Sequence, residues 1–501
     1  MKDYITIIGG GLAGCEAAYQ IAKRGIKVKL YEMKPNKYSP AHSNDNLAEI
    51  VCSNSFKSNL LTNACGLLKE ELRRMDSLLI KIADETSVPA GQALAVDREE
   101  FSKRVTREIE NNDFIEIIRK EVTSKSEEDN ENDKIYIEDL IEDGIVIIAT
   151  GPLTSDGLSG GISRLIGNES LHFYDAAAPI IEKESIDFNI AFYGDRYEQE
   201  KGKDESFDEW KCRISKYNTE KIENVDLQKS DRKDTCSYIN LPMNKEEYER
   251  FWNALTQAEI VTLHEFEKRE IFEGCMPVEV MAKRGIDTLR FGPLKPVGFD
   301  DPRTGKRPYA VVQLRQDNSE ATLYNMVGFQ TNLKFGEQKR VFSMIPGLEN
   351  AEFVKYGVMH RNTYINSTKL LDETYNLKSN CNIFFAGQIT GVEGYVESIS
   401  SGMVAALNAI KKFKNEKKSC NENEILNNKG YDSDEKVIFS EYTVIGALAK
   451  YISTENDKFQ PMNANFGILP ALEGKKIRDK KERYLKLAER SLKYFEKTIN
   501  K

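Results

Sequence analysis

The residues best suited to chemistry at the start of the chain are Gly9, Gly10, Gly11, Leu12, Ala13 and Gly14, which fit G-x-G-x-x-G. Gly9 permits a tight turn, Gly11 lets backbone N–H groups approach a pyrophosphate, and Gly14 allows close helix packing. Glu32, eighteen residues beyond Gly14, is spaced to accept a hydrogen bond from a ribose hydroxyl. Thiols are the second candidate chemistry. Cys275 lies in Phe272-Glu273-Gly274-Cys275-Met276-Pro277, where Gly274 and Pro277 mark a turn able to present a side chain in a cleft. Cys52 lies in Ile50-Val51-Cys52-Ser53-Asn54-Ser55. Taken alone, a cysteine in either place is more often a small buried hydrophobe, and Cys15 and Cys65, both in helical stretches, are read that way. The eight cysteines form no CxxC pair and no cluster with histidine at metal-ligand spacing. Reduced thiols are expected, with neither a zinc site nor a disulfide framework.

The glycine run is flanked by the elements it needs. Tyr4 to Ile8 is a short β-branched run, an alanine-rich helix follows from about Leu12 to Arg24, and Lys27 to Tyr31 reads as a second strand, giving a β-α-β unit. Helix N-termini carry favourable partial charge for a phosphate. Two further segments point to FAD rather than a plain nicotinamide dehydrogenase. Val146-Ile147-Ile148-Ala149-Thr150-Gly151 is an apolar strand ending in an Ala-Thr-Gly turn, and Phe384-Phe385-Ala386-Gly387-Gln388 is a strand running into glycines before a helix from about Glu393 to Phe413. Thr150, Gly151, Gly387 and Gln388 join the candidate cofactor residues. Since only one full phosphate fingerprint is present, a reducing nicotinamide would dock transiently on the flavin face.

The expected architecture is α/β, a Rossmann-like doubly wound FAD-binding domain with an inserted α+β domain. The expected divisions are 1–175 and 331–470 for the FAD-binding domain, 176–330 for the insertion, and 471–501 for a basic helical tail. The tail carries eleven Lys/Arg against four acidic residues from Lys475 onward, although an amphipathic helix with Leu485, Leu487 and Leu492 inward explains it equally well. Three polar stretches, 124–143, 199–234 and 414–435, read as surface loops too poor in apolar residues to order themselves.

The whole chain has 501 residues, 40% of them hydrophobic and 30% charged, enough for about two to four domain-sized units. The net charge of -9 argues against wholesale coating by nucleic acid and leaves room for a local basic patch. Lys283, Arg284, Lys295, Arg303, Lys306, Arg307 and Arg315, set among glycines and prolines, are candidate phosphate contacts. His360 and Arg361 suit either a platform for an unstacked base or an anionic ligand tail. With no apolar run of roughly 18 to 20 residues and no cleavable leader, the cytoplasm is the expected location.

Segments spread along the chain carry a family resemblance: IIGGGLAGCEAA, LYEMKP, AEIVCSNSFKSN, SVPAGQALAVDR, FEGCMPVEVMAKRG, YGVMHRNTYINS, FFAGQITGVEGYVES and PMNANFG. Together they closely resemble the FADH2-oxidizing, methylenetetrahydrofolate-dependent tRNA (uracil-5-)-methyltransferases. The resemblance implies methylation of carbon 5 of the T-loop uridine of tRNA, with methylenetetrahydrofolate as carbon donor and NAD(P)H-reduced FAD as carrier and reductant. No membrane and no obligatory protein partner are expected. Uracil carbon 5 becomes nucleophilic only after a thiolate adds to carbon 6. The resemblance assigns that attack to Cys275 and places Cys52 near the flavin as the base for the carbon 5 proton. It also places Gly391, Gly394 and Tyr395 along the isoalloxazine, Tyr395 stacking or hydrogen bonding there. The alternatives are the same chemistry on ribosomal RNA, a GidA-like flavoprotein modifying wobble uridine, and a non-catalytic flavin-binding RNA scaffold. The second fits the chain length poorly, and the third has no use for two such thiols.

Overall fold

A computed structural model of the chain describes residues 2–39, 41–125, 134–167, 170–176, 178–196, 206, 209, 238–261, 276–357, 359–421, 436–456, 459–474 and 477–499. Its first sheet has six strands in the order Asn376–Leu377, Asn380–Phe385, Val146–Ile148, Tyr4–Ile8, Lys27–Tyr31 and Ile115–Ile118. All neighbours run parallel except the first pair. The central strands are continuous apolar runs because helices cover both faces. Ile5, Ile7, Val146, Ile147 and Phe385 are fully buried. The Leu12–Ala22 helix packs against the Tyr395–Asn421 helix so closely that a side chain at Gly402 would lie 2.3 Å from the Ala13 carbonyl oxygen.

A separate core surrounds the second sheet, whose antiparallel order is Phe192–Tyr193, Tyr238–Met243, Ala310–Gln316, Leu323–Met326, Ile180–Glu182 and Phe353–Lys355. The chain leaves and re-enters the first domain along a two-stranded ribbon in which Ser170–Ala176 runs antiparallel to Met359–Ile365. The second domain therefore extends past residue 330, the division expected from turn-rich composition. Val341, Phe342, Ile345 and Leu348 bury themselves in its core, and Phe353–Lys355 forms its last strand.

Two polar stretches also depart from expectation. Ile135–Tyr136 pairs with Val122–Thr123, and Ile137–Asp143 is a helix burying Ile137 and Leu140. Five apolar residues, Ile135, Tyr136, Ile137, Leu140 and Ile141, within an otherwise polar stretch suffice for a local amphipathic turn. The helix from Tyr395 runs to Asn421 and so takes in the start of the 414–435 stretch. Apart from Ser206 and Glu209, the 199–234 stretch lies outside the described residues.

Near the C-terminus, the fully buried Glu71 accepts the N–H groups of Val444 and Ile445, each at 2.9 Å, capping the Val444–Ser453 helix. It also accepts the Ser491 hydroxyl at 2.5 Å from the Lys480–Ile499 helix. That helix buries Leu487, Ala488 and Phe495, whereas Leu485, expected inward, is 44% exposed. Buried positions 487, 488, 491 and 495 define the inward face, and 485 falls roughly a quarter-turn from its centre. Among the described residues, no helix is long and apolar enough to cross a membrane.

Candidate active site

The cleft begins where the first strand stops. Gly9 has φ +105, and a side chain there would lie 2.5 Å from the Ala149 carbonyl oxygen. A side chain at Gly14 would lie 1.9 Å from the Gly9 carbonyl oxygen, so close packing of loop on helix excludes anything larger than glycine. Gly11 is different: nothing lies within 4 Å of where its side chain would project. It is also the N-cap of the Leu12–Ala22 helix and supplies no side-chain cap. The first-turn N–H groups of that helix thus face open space, an arrangement suited to a pyrophosphate.

Glu32, at the end of the second strand, accepts the N–H of Gly10 at 2.9 Å and of Lys34 at 3.0 Å. Its carboxylate is fixed at the cleft edge with acceptor capacity left for a ribose. The cleft encloses about 1070 Å³, counting space open to solvent at its mouth. Gly9, Gly10, Gly11, Leu12, Ala13, Glu32, Thr150, Gly151, Gly387, Gln388 and Tyr395 all line it. Gly14, Gly391 and Gly394 do not. A side chain at Gly391 would meet the Phe459 ring, and one at Gly394 the carboxylate of Glu397 and the ammonium of Lys57.

Tyr395 connects the cleft to Cys52. Its hydroxyl oxygen accepts the N–H groups of Cys52 and Ser53, both at 3.0 Å. Burial, helped by the nearby Cys52, pushes the phenol well above its ordinary range, so it keeps a proton to donate. The Cys52 loop is held from its other sides too. Arg98 donates to the carbonyls of Ile50 at 3.1 Å and Val51 at 3.3 Å, and pairs with Asp317 at 3.0 Å. From the second domain, Arg315 donates to Asn54 Oδ1 at 3.0 Å and Ser53 Oγ at 2.8 Å, while Asn54 donates to the Gln316 carbonyl at 2.8 Å. A polar seam between the domains therefore immobilises the loop beside the cleft. Composition gave no sign of this seam, since its members lie more than 200 residues apart in the chain.

The remaining thiols separate clearly. Cys15 and Cys65 are buried as expected. Burial pushes the Cys65 thiol up to about 11 and raises Cys15 further, which leaves both unreactive. Cys275 lies outside the described residues, next to the buried Met276. Among the described residues, no group of His, Cys, Asp and Glu could hold a metal ion.

The basic candidates do not form one site. Lys283 ends the Val278–Lys283 helix and Arg284 caps it, and both are exposed, as are Lys295, Lys306 and Arg307. Arg303 is tied to Asp301 at 2.9 Å. Arg315, proposed as a phosphate contact, is instead buried in the seam, because its strand ends against the Cys52 loop. His360 and Arg361 lie on the ribbon, opposite Asp175 and Tyr174, with side chains outside the described residues. Lys34 and Glu49, missed by motif reading, also line the cleft and form a buried pair at 3.2 Å.

A doubly wound sheet whose glycine loop, acidic strand end and distal helix meet at one cleft defines a dinucleotide-binding α/β protein, here with a second domain inserted. The family model described as glucose inhibited division protein A matches residues 4–224 and 207–417. The methylenetetrahydrofolate-tRNA-(uracil-5-)-methyltransferase TrmFO of Acetivibrio thermocellus is 54% identical over 502 residues, spanning 100% of both chains. The protein of the same name from Streptococcus agalactiae serotype III is 51% identical, spanning 100% of this chain and 99% of that one. The crystal structure of Aquifex aeolicus GidA shares the fold, with a TM-score of 0.60 and 15% identity over 99% of this chain and 73% of that chain. The chain belongs to the glucose inhibited division protein A family and, within it, to the TrmFO methyltransferases.

Proposed function

We propose that this chain methylates carbon 5 of the T-loop uridine in tRNA, taking the carbon from methylenetetrahydrofolate and using FAD with NAD(P)H. Full-length likeness to the TrmFO proteins supports the reaction class. The observation that carries the assignment to this cleft is the Tyr395 hydroxyl, which lines the cleft and receives the backbone of Cys52 and Ser53. The cleft fits FAD through the open N-terminus beside Gly11 and the anchored carboxylate of Glu32.

Bound FAD, reduced by NAD(P)H, supplies electrons and carries the one-carbon unit. The protein's own work is positioning and proton movement. Gly10, Gly11 and the first helical turn hold the pyrophosphate, and Glu32 orients the ribose. Cys275 attacks uracil carbon 6, forming a C–S bond and moving the ring electrons onto the oxygen at carbon 4, which makes carbon 5 nucleophilic. Carbon 5 bonds to the one-carbon unit, and the Cys52 sulfur takes the carbon 5 proton as the bond from that carbon to its carrier nitrogen breaks. A hydride equivalent that the reduced flavin would supply converts the methylene to methyl as the Cys275 thiolate is expelled and the ring restored. Tyr395 and Arg98 keep the Cys52 loop at the distance this requires.

The test supplies folate labelled in its methylene carbon, S-adenosylmethionine as a control donor, and unmodified tRNA and ribosomal RNA as acceptors. Label is expected in tRNA, from folate alone. Cys275→Ala should retain FAD and lose on the order of 10³-fold or more in transfer. Label confined to ribosomal RNA would keep the chemistry and refute the acceptor. Transfer from S-adenosylmethionine, or full activity of Cys275→Ala, would refute the mechanism.

A further inference from the structure

Outside the cleft, an unusual aromatic surface lies along the edge strand of the second sheet. The rings of Phe335 and Tyr356 are stacked at 5.3 Å and 24°, and Tyr356 stacks on Phe353 at 5.5 Å and 13°. Phe353 in turn leans on Phe342, which is fully buried. Phe335 at the outer end is 57% exposed, and neighbouring Val354 is 58% exposed. The stack is rigidly presented. Gln338, fully buried, donates to the carbonyls of Leu333 and Gly357 at 2.7 and 2.8 Å and accepts the Gly357 N–H at 2.8 Å. This fixes the turn carrying Tyr356 over the helix that begins at Phe335. An exposed apolar sheet edge is a liability that a protein keeps only for a use.

The charges around the stack narrow that use. Lys334 is committed to Glu259 and Arg340 to Glu337, each at 2.7 Å. Lys355, between Val354 and Tyr356, has no hydrogen-bonding partner for its ammonium among the described residues. It lies within electrostatic reach of Arg98, whose Nη2 is buried and also lacks a partner among the described residues. Arg98 holds the Cys52 loop. Glu49 and Asp317 also lie within electrostatic reach of Lys355, but each is already paired, with Lys34 and with Arg98, so this half-buried lysine adds positive charge beside the ring platform.

We propose that Phe335 and Tyr356 form a stacking platform for an unpaired base of the substrate RNA, with Lys355 on the adjoining phosphate, guiding the target uridine toward Cys52. The proposal rests on the RNA methyltransferase reading above. Every base offers a π face, so such a platform adds affinity without demanding sequence.

The experiment measures binding of an unmodified tRNA transcript, and of a ribosomal RNA transcript, to FAD-loaded full-length protein. Phe335→Ala and Tyr356→Ala should each weaken binding roughly ten-fold, with Tyr356→Phe close to the parent. Lys355→Gln should lower the slope of log K against log salt by about one. Phe335→Trp should show fluorescence quenching by RNA. FAD content and NAD(P)H oxidation should be unchanged in all five, which separates a lost platform from a lost fold. Unchanged RNA affinity in Phe335→Ala overturns the platform while leaving the enzymatic reading intact. A change in oligomeric state in Phe335→Ala, with RNA affinity unchanged, reassigns the stack to a contact between two copies and also overturns it. A parent protein that binds neither RNA refutes the enzymatic reading and the platform together.

Discussion

The cleft and the domain seam solve the same problem, holding small groups in place, with opposite materials. The cleft is mostly backbone: Gly9 and Gly10, where a side chain would collide, Gly11, which opens onto space, helix N–H groups, and one carboxylate that is itself held by backbone N–H groups. The seam is mostly side chain: Arg98, Arg315, Asn54 and Asp317 bond across more than 200 residues of sequence. A backbone site is written in a short stretch of chain. A side-chain site exists only once distant stretches have met.

The largest expected effect tests the seam. Arg315→Ala strands the buried Asn54 oxygen and the half-buried Ser53 oxygen and should cost about 3 kcal/mol of unfolding free energy, measured by denaturant melts. The exposed Lys306→Ala should change stability by less than about 0.5 kcal/mol. Equal effects would erase the distinction drawn between the two cations. Glu71 sharpens the contrast, as a fully buried carboxyl hydrogen-bonded by the Val444 and Ile445 N–H groups and the Ser491 hydroxyl. Burial raises its carboxyl to about 7, from 4.5. Between those values the folded chain keeps a proton that the unfolded chain has released. Its contribution is therefore full below about pH 4.5 and is lost as pH rises through about 7, at most about 3 kcal/mol in all. The melting temperature should fall from pH 5 to pH 8, and Glu71→Gln should flatten that slope; parallel profiles would refute the assignment. The smallest effect falls on the cleft. Glu32→Ala should leave folding intact and weaken FAD binding by roughly ten- to a hundredfold, or about 1.5 to 3 kcal/mol, read by titrating the apoprotein. Unchanged affinity would mean that backbone alone holds the cofactor.

The same contrast explains what the sequence made legible. The glycine loop, Glu32, Thr150, Gly151, Gly387 and Gln388 could be named from short motifs because steric need for glycine and strand-end geometry are local properties, and they line one cleft. Gly391 and Gly394 rest on the family resemblance instead, and Phe459 and Glu397 occupy the space beside them. Arg315 and the exposed Lys306 look alike in a list of basic residues. Only the third dimension reveals that one ends a strand against Ser53 and the other sits in an open turn. The limit of the second domain was misplaced for a related reason: its last strand is three residues long, too short for alternation to show.

The insertion has a consequence in time. Val146–Ile148 finds its neighbour in Asn380–Phe385, roughly 240 residues further along the chain, with Ile147 opposite Phe384. At about 5 to 20 residues per second, that interval takes on the order of 10 to 50 seconds of synthesis. Throughout it the glycine loop, Glu32 and the Ala-Thr-Gly turn already exist, while Gly387, Gln388 and Tyr395 have yet to be made. The growing chain completes its second domain before it can close the first. A nascent chain arrested short of Gly387 would carry the phosphate fingerprint and still lack the wall that encloses the cofactor.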